Sequence, residues 1–406
     1  MIRPGAGVRH DIPGAGVPQS PGAGVPQSPG AGVPQGISGA GAVRLDLPAF
    51  PWDSLSGAAR RAAEYPGGAV DLSVGTPVDP VPDVLRRALA SASAQPGYPT
   101  THGTPELRQA AVDALARRYG VPGVPIEAVL PTAGSKELVA WLPTLLGFGP
   151  GDLIALPELA YPTYEVGARL AGATPVRLGD HQPAPPGTRL RWLNSPSNPT
   201  GDVMPAAVLA GAVVQARDIG AVVASDECYL SLGWDAQPTS VLHPQVSGGD
   251  HRGLLAVHSL SKSSNLAGYR AGFVAGDPDL VAALLSVRRH AGMMVARPVQ
   301  QAMVVALSDD THITQQRERY ARRRALLRPA LDRAGLRVQR SQGGLFLWCT
   351  AGEPCWDTVA RLAELGVLVA PGEFYGSAGA RHVRVSLTAE DRCIDAVVER
   401  LGHRLQ

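Results

Sequence analysis

Lysine is almost absent from this sequence. Lys136 and Lys262 are the only two lysines in a chain of 406 residues that carries 37 Lys and Arg residues. Arginine stays protonated, whereas a lysine amine can lose its proton, attack a carbonyl group and carry protons. A chain that uses arginine for its surface cations therefore keeps lysine where arginine cannot replace it.

Other absences each exclude a class of protein. The four cysteines, Cys228, Cys349, Cys355 and Cys393, have neither zinc-ligand spacing nor the pattern of a disulfide framework, so we expect a reducing cytoplasm and no metal site. No apolar run approaches the ~20 residues of a membrane span, and no apolar segment near the start is typical of a signal peptide. A net charge of +2 with dispersed arginines gives no basis for nucleic-acid binding.

The first part of the chain is a repeat. Residues 13–36 contain three copies of Pro-Gly-Ala-Gly-Val-Pro-Gln-Ser, the last ending in Gly36. Proline and glycine at this density oppose both helices and strands, so we predict a disordered tail over residues 1–43. A passive tail is favoured over a partner-binding arm, because the segment has few charges and aromatic rings to anchor a partner. A start upstream of the true domain is also compatible with this repeat.

Short apolar runs then alternate with helical stretches. Helices are predicted at 82–94, 104–119 and 135–146, and strands at 153–156, 190–193, 221–225, 254–258 and 271–275. This alternation predicts an α/β fold with a mostly parallel central sheet. After about residue 288, a helix at 311–334 and further short strands indicate a smaller α+β domain. The predicted organisation is an N-terminal arm and small-domain segment at 44–80, a large domain at 81–290 and a small domain at 291–406.

Four polar motifs follow the predicted strands in order. In the first, Gly134 and Ser135 open a helix and offer N–H groups and a hydroxyl to an anion, although a plain helix N-cap has the same appearance. In the second, residues 194–201 form a turn rich in proline that could fix the Asn198 amide towards a ligand oxygen, or could bind nothing. Both motifs are weak indications when taken alone.

The third and fourth motifs carry charge. Asp226 ends a buried strand, where a carboxylate needs a cation such as a protonated ring nitrogen, and Tyr229 follows three residues later; a helix-capping carboxylate is the alternative. Lys262 also follows a strand, with Ser259 before it and Arg270 after it as natural phosphate ligands. An anion cradle, a carboxylate for a ring nitrogen, partners for a ring oxygen and a Schiff-base lysine are the parts that pyridoxal 5'-phosphate requires.

These motifs resemble the class I/II pyridoxal-phosphate-dependent aminotransferases, which have fold type I. The resemblance runs from about Leu45 to the C-terminus and rests on Asn198-Pro199-Thr200-Gly201, Asp226-Glu227-Cys228-Tyr229, Ser259-Leu260-Ser261-Lys262 with Arg270, and His382-Val383-Arg384-Val385-Ser386. It implies a ping-pong amino transfer between small amino acids and keto acids. It also implies a homodimer, because Tyr98 matches a tyrosine that reaches the phosphate of the neighbouring subunit.

The resemblance assigns roles by position. The implied catalytic residues are Lys262, which carries the cofactor and moves the proton, Asp226 at the ring nitrogen and Tyr229 at the ring oxygen. The implied cofactor ligands are Gly134, Ser135, Lys136, Tyr161, Asn198, Ser259 and Arg270, with Tyr161 stacked on the ring. The implied substrate ligands are Gly75, Asn198 and Arg384. We expect Cys228 to be a packing residue, because neighbours along a strand point to opposite faces.

Within the family, residues 134–143, 158–164 and 290–294 look closest to actinobacterial N-succinyldiaminopimelate aminotransferase of lysine and diaminopimelate synthesis. This implies transfer between glutamate and N-succinyl-2-amino-6-oxopimelate. A long anionic substrate requires basic groups in its outer pocket, and Arg288, Arg289, His290 and Lys136 are the candidates. The alternatives are an aminotransferase of aspartate-like or aromatic amino acids, or a pyridoxal-dependent lyase of the same fold.

Overall fold

The structure is a computed structural model that describes residues 47–179 and 182–402. The predicted tail at 1–43 lies outside the described residues. The helices are α1 Ser56–Ala63, α2 Asp83–Ser91, α3 Pro105–Tyr119, α4 Ser135–Leu145, α5 Thr163–Leu170, α6 Ala206–Asp218, α7 Pro244–Ser247, α8 Pro278–Ala291, α9 Arg297–Ser308, α10 Thr311–Arg333, α11 Cys355–Ala363 and α12 Asp391–Gly402. The strands are β1 Val70–Asp71, β2 Val129–Ala133, β3 Leu153–Pro157, β4 Thr174–Leu178, β5 Thr188–Asn194, β6 Val222–Asp226, β7 Leu254–Ser259, β8 Ala271–Gly276, β9 Arg337–Gln339, β10 Phe346–Thr350, β11 Val367–Leu368, β12 Ala370–Pro371 and β13 Val383–Ser386.

Seven strands form the central sheet, in the order β2-β8-β7-β6-β5-β3-β4. Strands β7, β6, β5, β3 and β4 pair in parallel, whereas β8 runs antiparallel to β2 and β7. Parallel neighbours need crossover connections, and helices supply them on both faces. The predicted α/β class with a mostly parallel sheet is confirmed.

The two faces of this sheet are covered by different helices. Helices α3, α6 and α9 contribute to the apolar cluster on one face, and α4, α5 and α8 contribute to the cluster on the other. Strand β7 is consequently buried at every position, which explains its unbroken apolar run. This packing fixes the carboxyl ends of β5, β6 and β7 side by side, with Asn194 opposite Asp226 and Asp226 opposite Val257.

A second sheet is built mainly from the C-terminal part of the chain. Its strands run antiparallel in the order β12-β13-β10-β9, and residues of α10, α11 and α12 share its apolar cluster. The short parallel pair β1-β11 joins the N-terminal segment to this region. The domain boundaries given above stay predictions. Within residues 47–179 and 182–402, no helix combines the length and apolar character that crossing a membrane requires.

Candidate active site

Lys262 lies in the turn that follows β7. Its side chain is only partly exposed, and its amine donates a hydrogen bond to the Gly75 carbonyl oxygen. Burial lowers the pKa of Lys262 from 10.5 to about 8, and the positive charges of Arg384 and Arg270 act in the same direction. A neutral amine, the form that attacks carbonyl groups, is therefore accessible near neutral pH.

Asp226 ends β6 and is buried. Its carboxylate accepts hydrogen bonds from the Tyr164 hydroxyl at 2.8 Å and from the Cys228 N–H at 3.2 Å. Burial raises the pKa of Asp226, because the charged form loses its hydration. None of the ion pairs among the described residues includes this carboxylate. A protonated ring nitrogen is the kind of partner that would compensate it.

Cys228 makes a polar contact as well as an apolar one, which the strand argument did not predict. Its thiol packs near the apolar cluster of the second sheet, but it also donates a hydrogen bond to the Ser135 hydroxyl at 3.1 Å. Strand β6 ends at Asp226, so alternation between faces no longer applies two residues later. The expectation that Cys228 packs is therefore confirmed, and the hydrogen bond to Ser135 is an additional contact.

Pairing between β2, β8 and β7 brings the residues of the predicted anion cradle together. Ala133 pairs with Ala271, and Ser259 pairs with Gly272, so Gly134, Arg270 and Ser259 leave adjacent strands together. Gly134 precedes α4, and no side chain caps that helix. A Cβ atom on Gly134 would overlap the Arg270 guanidinium, so this cation lies directly over the helix N-terminus. Uncapped N–H groups beside an arginine suit a phosphate.

Arg384 is buried on β13, and four neighbouring groups contact its guanidinium. Its two terminal nitrogens donate to the Asn198 side-chain oxygen at 2.9 Å and to the Ser73 carbonyl at 2.6 Å. The guanidinium carbon lies 3.8 Å from the Phe346 ring centroid and 5.0 Å from that of Tyr375. Its Nε has no hydrogen-bond partner among the described residues. The Asn198 oxygen is occupied by Arg384, which leaves the Asn198 amide group to donate elsewhere.

Phe346, Tyr164 and Tyr375 were missed by the sequence reasoning. The Phe346 ring meets Tyr229 edge-on at 5.8 Å, and a Cβ atom on Gly75 would come within 2.7 Å of it, so this ring requires glycine at position 75. Burial raises the pKa of Tyr375 to about 12, and its hydroxyl has no partner among the described residues. Tyr164 had a local signal, because it lies three residues after Tyr161 and their rings meet edge-on at 5.8 Å. No such signal indicated Phe346 or Tyr375.

Some predicted residues do not join this cluster. Lys136 is exposed, and its ammonium lies 5.9 Å from the Phe50 ring centroid. Tyr98 is 90% exposed, and within the described residues no hydrogen bond or ring contact joins its ring to this cluster. Arg288 is buried and donates through both terminal nitrogens to Glu137, at 2.8 and 3.2 Å. The prediction that Arg288 is available to a distal substrate group was therefore wrong.

The residues present fit pyridoxal 5'-phosphate. The cradle at Gly134 and Arg270 suits its phosphate, the uncompensated Asp226 suits its ring nitrogen, and the Lys262 amine suits its aldehyde. Residues 68–401 match the family model of aminotransferase class I and II. This chain belongs to the class I and II aminotransferases. Because this family depends on pyridoxal phosphate, the predicted family, enzyme class and cofactor are confirmed.

The aminotransferase is similar to known proteins both in sequence and in structure. It is 62% identical to the probable aminotransferase Rv1178 of Mycobacterium tuberculosis over 367 residues, 89% of this chain and 87% of that protein. It is 57% identical to the 4-dedimethylamino-4-oxo-anhydrotetracycline transaminase OxyQ of Streptomyces rimosus over 362 residues, 88% of this chain and 99% of that protein. A solved structure of a probable N-succinyldiaminopimelate aminotransferase from Thermus thermophilus matches with a TM-score of 0.78 and 29% identity, covering 87% of this chain and 100% of that one.

Proposed function

We propose that the aminotransferase uses Lys262 as its catalytic lysine in a ping-pong transfer, with glutamate and 2-oxoglutarate as one substrate pair. The observation that carries the proposal is the Lys262 amine, whose pKa burial lowers to about 8. It lies on the turn after β7, where the charges of Arg270 and Arg384 act on it. Arginine could not serve here, because it does not release its proton.

The surrounding residues have separable tasks. When bound, the cofactor supplies an electron sink for charge at the substrate α-carbon. Asp226 holds the proton on the ring nitrogen, since that positive charge compensates a buried carboxylate. The Asn198 amide and the Tyr229 hydroxyl orient the ring through its oxygen. The Lys262 amine would take the proton from the substrate α-carbon and deliver it to the C4' carbon of the cofactor, which carries the aldehyde in the free cofactor.

Binding and orientation come from three further groups of residues. Gly134, Ser135, Ser259 and Arg270 hold the phosphate, and Tyr161 stacks on the ring. Arg384 and the Gly75 N–H hold the substrate α-carboxylate, for which a planar fork of two donors is suited. The Phe346 ring supports this clamp, because it stacks on Arg384 and stands against Gly75.

Replacing Lys262 by alanine tests this assignment. The variant should lose the visible absorbance that the cofactor acquires when joined to a lysine, and amino transfer should become undetectable. The matched variant Lys136→Ala removes the only other lysine and should retain that absorbance. An unchanged visible spectrum in the Lys262→Ala protein would refute the role of Lys262.

A single-turnover experiment separates transfer from a lyase reaction. Mixing the loaded enzyme with glutamate alone should release 2-oxoglutarate in an amount equal to the enzyme, because the amino group stays behind in a ping-pong reaction. A lyase or decarboxylase would instead release other products with continued turnover. Such turnover on glutamate would overturn the proposal.

For the other substrate, we propose N-succinyl-2-amino-6-oxopimelate, the acceptor implied by the sequence resemblance. The likeness to the Thermus thermophilus structure supports it. The pairing of Arg288 with Glu137 does not support this acceptor, because the carboxylates at the far end of the substrate would have to contact other cations. A second candidate is a ring ketone, favoured by 57% identity to OxyQ, whose name gives a 4-oxo-anhydrotetracycline as its substrate.

A panel of acceptors decides between these candidates. With glutamate as donor, kcat/KM is measured for the succinylated semialdehyde, oxaloacetate, an aromatic keto acid and a polycyclic ketone. The succinylated compound should give the highest value if the first candidate is correct. A preference for any other acceptor would reject diaminopimelate synthesis and leave the amino-transfer reaction itself intact.

The homodimer, the cytoplasmic location and the role of Tyr98 remain part of this proposal. An exposed Tyr98 ring supports a contact with a second subunit. Mixing a Tyr98→Phe protein with a Lys262→Ala protein would test sharing of sites, since each mixed dimer then combines both defects in one site and neither in the other. Activity recovered on mixing supports a shared site.

A further inference from the structure

One face of helix α10 is polar although it is buried. His312, Gln316, Tyr320 and Arg323 are all buried, and their spacing of four, four and three residues places them in one row along the helix. Buried polar side chains are costly unless their hydrogen bonds are satisfied. This row, the α10 polar face, can be buried because its side chains have hydrogen-bond partners.

Two residues of the α10 polar face hold the turn that carries the lysine. The Tyr320 hydroxyl donates to the Lys262 carbonyl oxygen at 3.3 Å. His312 Nδ1 lies 2.9 Å from the Asp309 carboxylate, and His312 Nε2 lies 2.9 Å from the Ser264 hydroxyl. A carboxylate only accepts hydrogen bonds, so the His312 Nδ1–H donates to Asp309, while burial lowers the pKa of His312.

Gln316 holds the next residue of the same turn. Its side-chain oxygen accepts from the Asn265 amide at 2.9 Å, and that amide also donates to the Pro80 carbonyl at 3.3 Å. Asn265 has a φ of 53°, a left-handed conformation that surrounding structure must maintain in a residue other than glycine. Gln316 thus fixes the backbone three residues after Lys262.

The side-chain nitrogen of Gln316 contacts a second segment of the chain, which includes Asp79. Its amide donates to the Asp79 carboxylate at 2.7 Å, and Arg323 donates to the same carboxylate at 2.9 and 2.6 Å. Asp79 lies four residues after Gly75, whose carbonyl oxygen accepts from the Lys262 amine. The α10 polar face therefore contacts both pieces of chain that meet at this amine.

We propose that the α10 polar face positions Lys262, and that Gln316 is its central positioning residue. Through one side-chain amide, Gln316 sets the Lys262 turn in register with the Gly75–Asp79 segment. The inference rests on the catalytic role of Lys262 given under the proposed function. It adds that the reactive amine is oriented through its backbone turn by hydrogen bonds with α10.

The test compares two neighbouring glutamines in the loaded, full-length enzyme. Gln316→Leu removes the hydrogen bonds to Asn265 and Asp79 and a third one from Arg319, whereas Gln315→Leu changes an exposed residue beside it. In Gln316→Leu, kcat for glutamate should fall by about 10²-fold, the effect of displacing a reacting group by ~1 Å. KM should change little, because the Arg384 clamp is untouched. Gln315→Leu should match the unmodified enzyme in both.

Hydrogen exchange supplies a readout that does not depend on activity. Backbone amides of residues 259–270 should exchange faster in Gln316→Leu than in Gln315→Leu, measured without substrate and well below the unfolding temperature. A purely stabilising role would lower the unfolding temperature and leave this exchange and kcat unchanged. That result, with kcat within about twofold of the unmodified enzyme, would overturn the proposal.

A milder variant can be measured if the Gln316→Leu protein does not fold. Tyr320→Phe removes one hydroxyl and its bond to the Lys262 carbonyl, and it should raise exchange in the same turn and lower kcat. Unaltered exchange and kcat in Tyr320→Phe would then reject the proposal. If Lys262 is not the catalytic lysine, the Lys262→Ala protein keeps the visible absorbance of the cofactor. This result distinguishes failure of the proposed function from failure of the positioning role of Gln316.

Discussion

Replacing Gly134 by alanine should weaken cofactor binding. Gly134 has φ 77° and ψ 156°, a backbone conformation that is essentially restricted to glycine. A Cβ atom at this position would also overlap the Arg270 guanidinium. The variant must move either the start of α4 or the side chain of Arg270. Both belong to the proposed phosphate cradle.

The size of the effect follows from two contributions. A residue other than glycine held in this conformation costs about 1–3 kcal/mol, which lowers the free energy of unfolding. Displacing Arg270 removes hydrogen bonds from a charged group, worth about 1.5–3 kcal/mol. The second contribution alone corresponds to a rise of about 10- to 150-fold in the dissociation constant for pyridoxal 5'-phosphate.

The assay is a titration of cofactor-free enzyme, followed by visible absorbance. Gly147→Ala is the matched control, because Gly147 also has a positive φ, of 76°, and nothing lies within 4 Å of a Cβ atom added there. The control should lose stability and keep its affinity for the cofactor. Thermal unfolding of both cofactor-free variants shows whether their strain is comparable.

Two results would refute the reasoning. A dissociation constant for Gly134→Ala within about twofold of the unmodified value, in a folded protein, would mean that Gly134 and Arg270 do not form the cradle. An equal loss of affinity in both variants would mean that backbone strain, rather than overlap with Arg270, weakens binding.

Two further predictions concern the substrate clamp and the lysine. Arg384→Ala should raise KM for glutamate by about 30-fold or more, as expected when one partner of a buried charged pair is removed, and steady-state kinetics that show an unaltered KM would count against the clamp. In cofactor-free enzyme, the rate at which Lys262 is modified by pyridoxal phosphate and trapped by borohydride should rise with pH through a midpoint near 8, because only the neutral amine attacks and burial lowers the pKa of Lys262 to about 8. A midpoint near 10.5 would contradict that burial.

The sequence predicted the parts of the site that depend on local backbone structure. Asn194, Asp226 and Ser259 end buried parallel strands, and apolar runs reveal such strands. Strands that run in parallel bring their carboxyl ends to one edge, so motifs at these positions were expected to meet. The hydrogen bond from Cys228 to Ser135 was not predicted, because it depends on where the strand ends to within one residue, and an apolar pattern does not define ends that closely.

The sequence by itself therefore determined the fold class, and it predicted both Lys262 as the reactive lysine and the order of the motifs along the sheet edge. Only the tertiary structure decided which other side chains orient and support the residues of the site. The stacking of Phe346 on Arg384, the pairing of Arg288 with Glu137 and the joining of Asn265 to Asp79 by Gln316 each link segments far apart in the chain. Periodicity and turn chemistry report on neighbours along the backbone, whereas such contacts depend on how whole helices and strands pack.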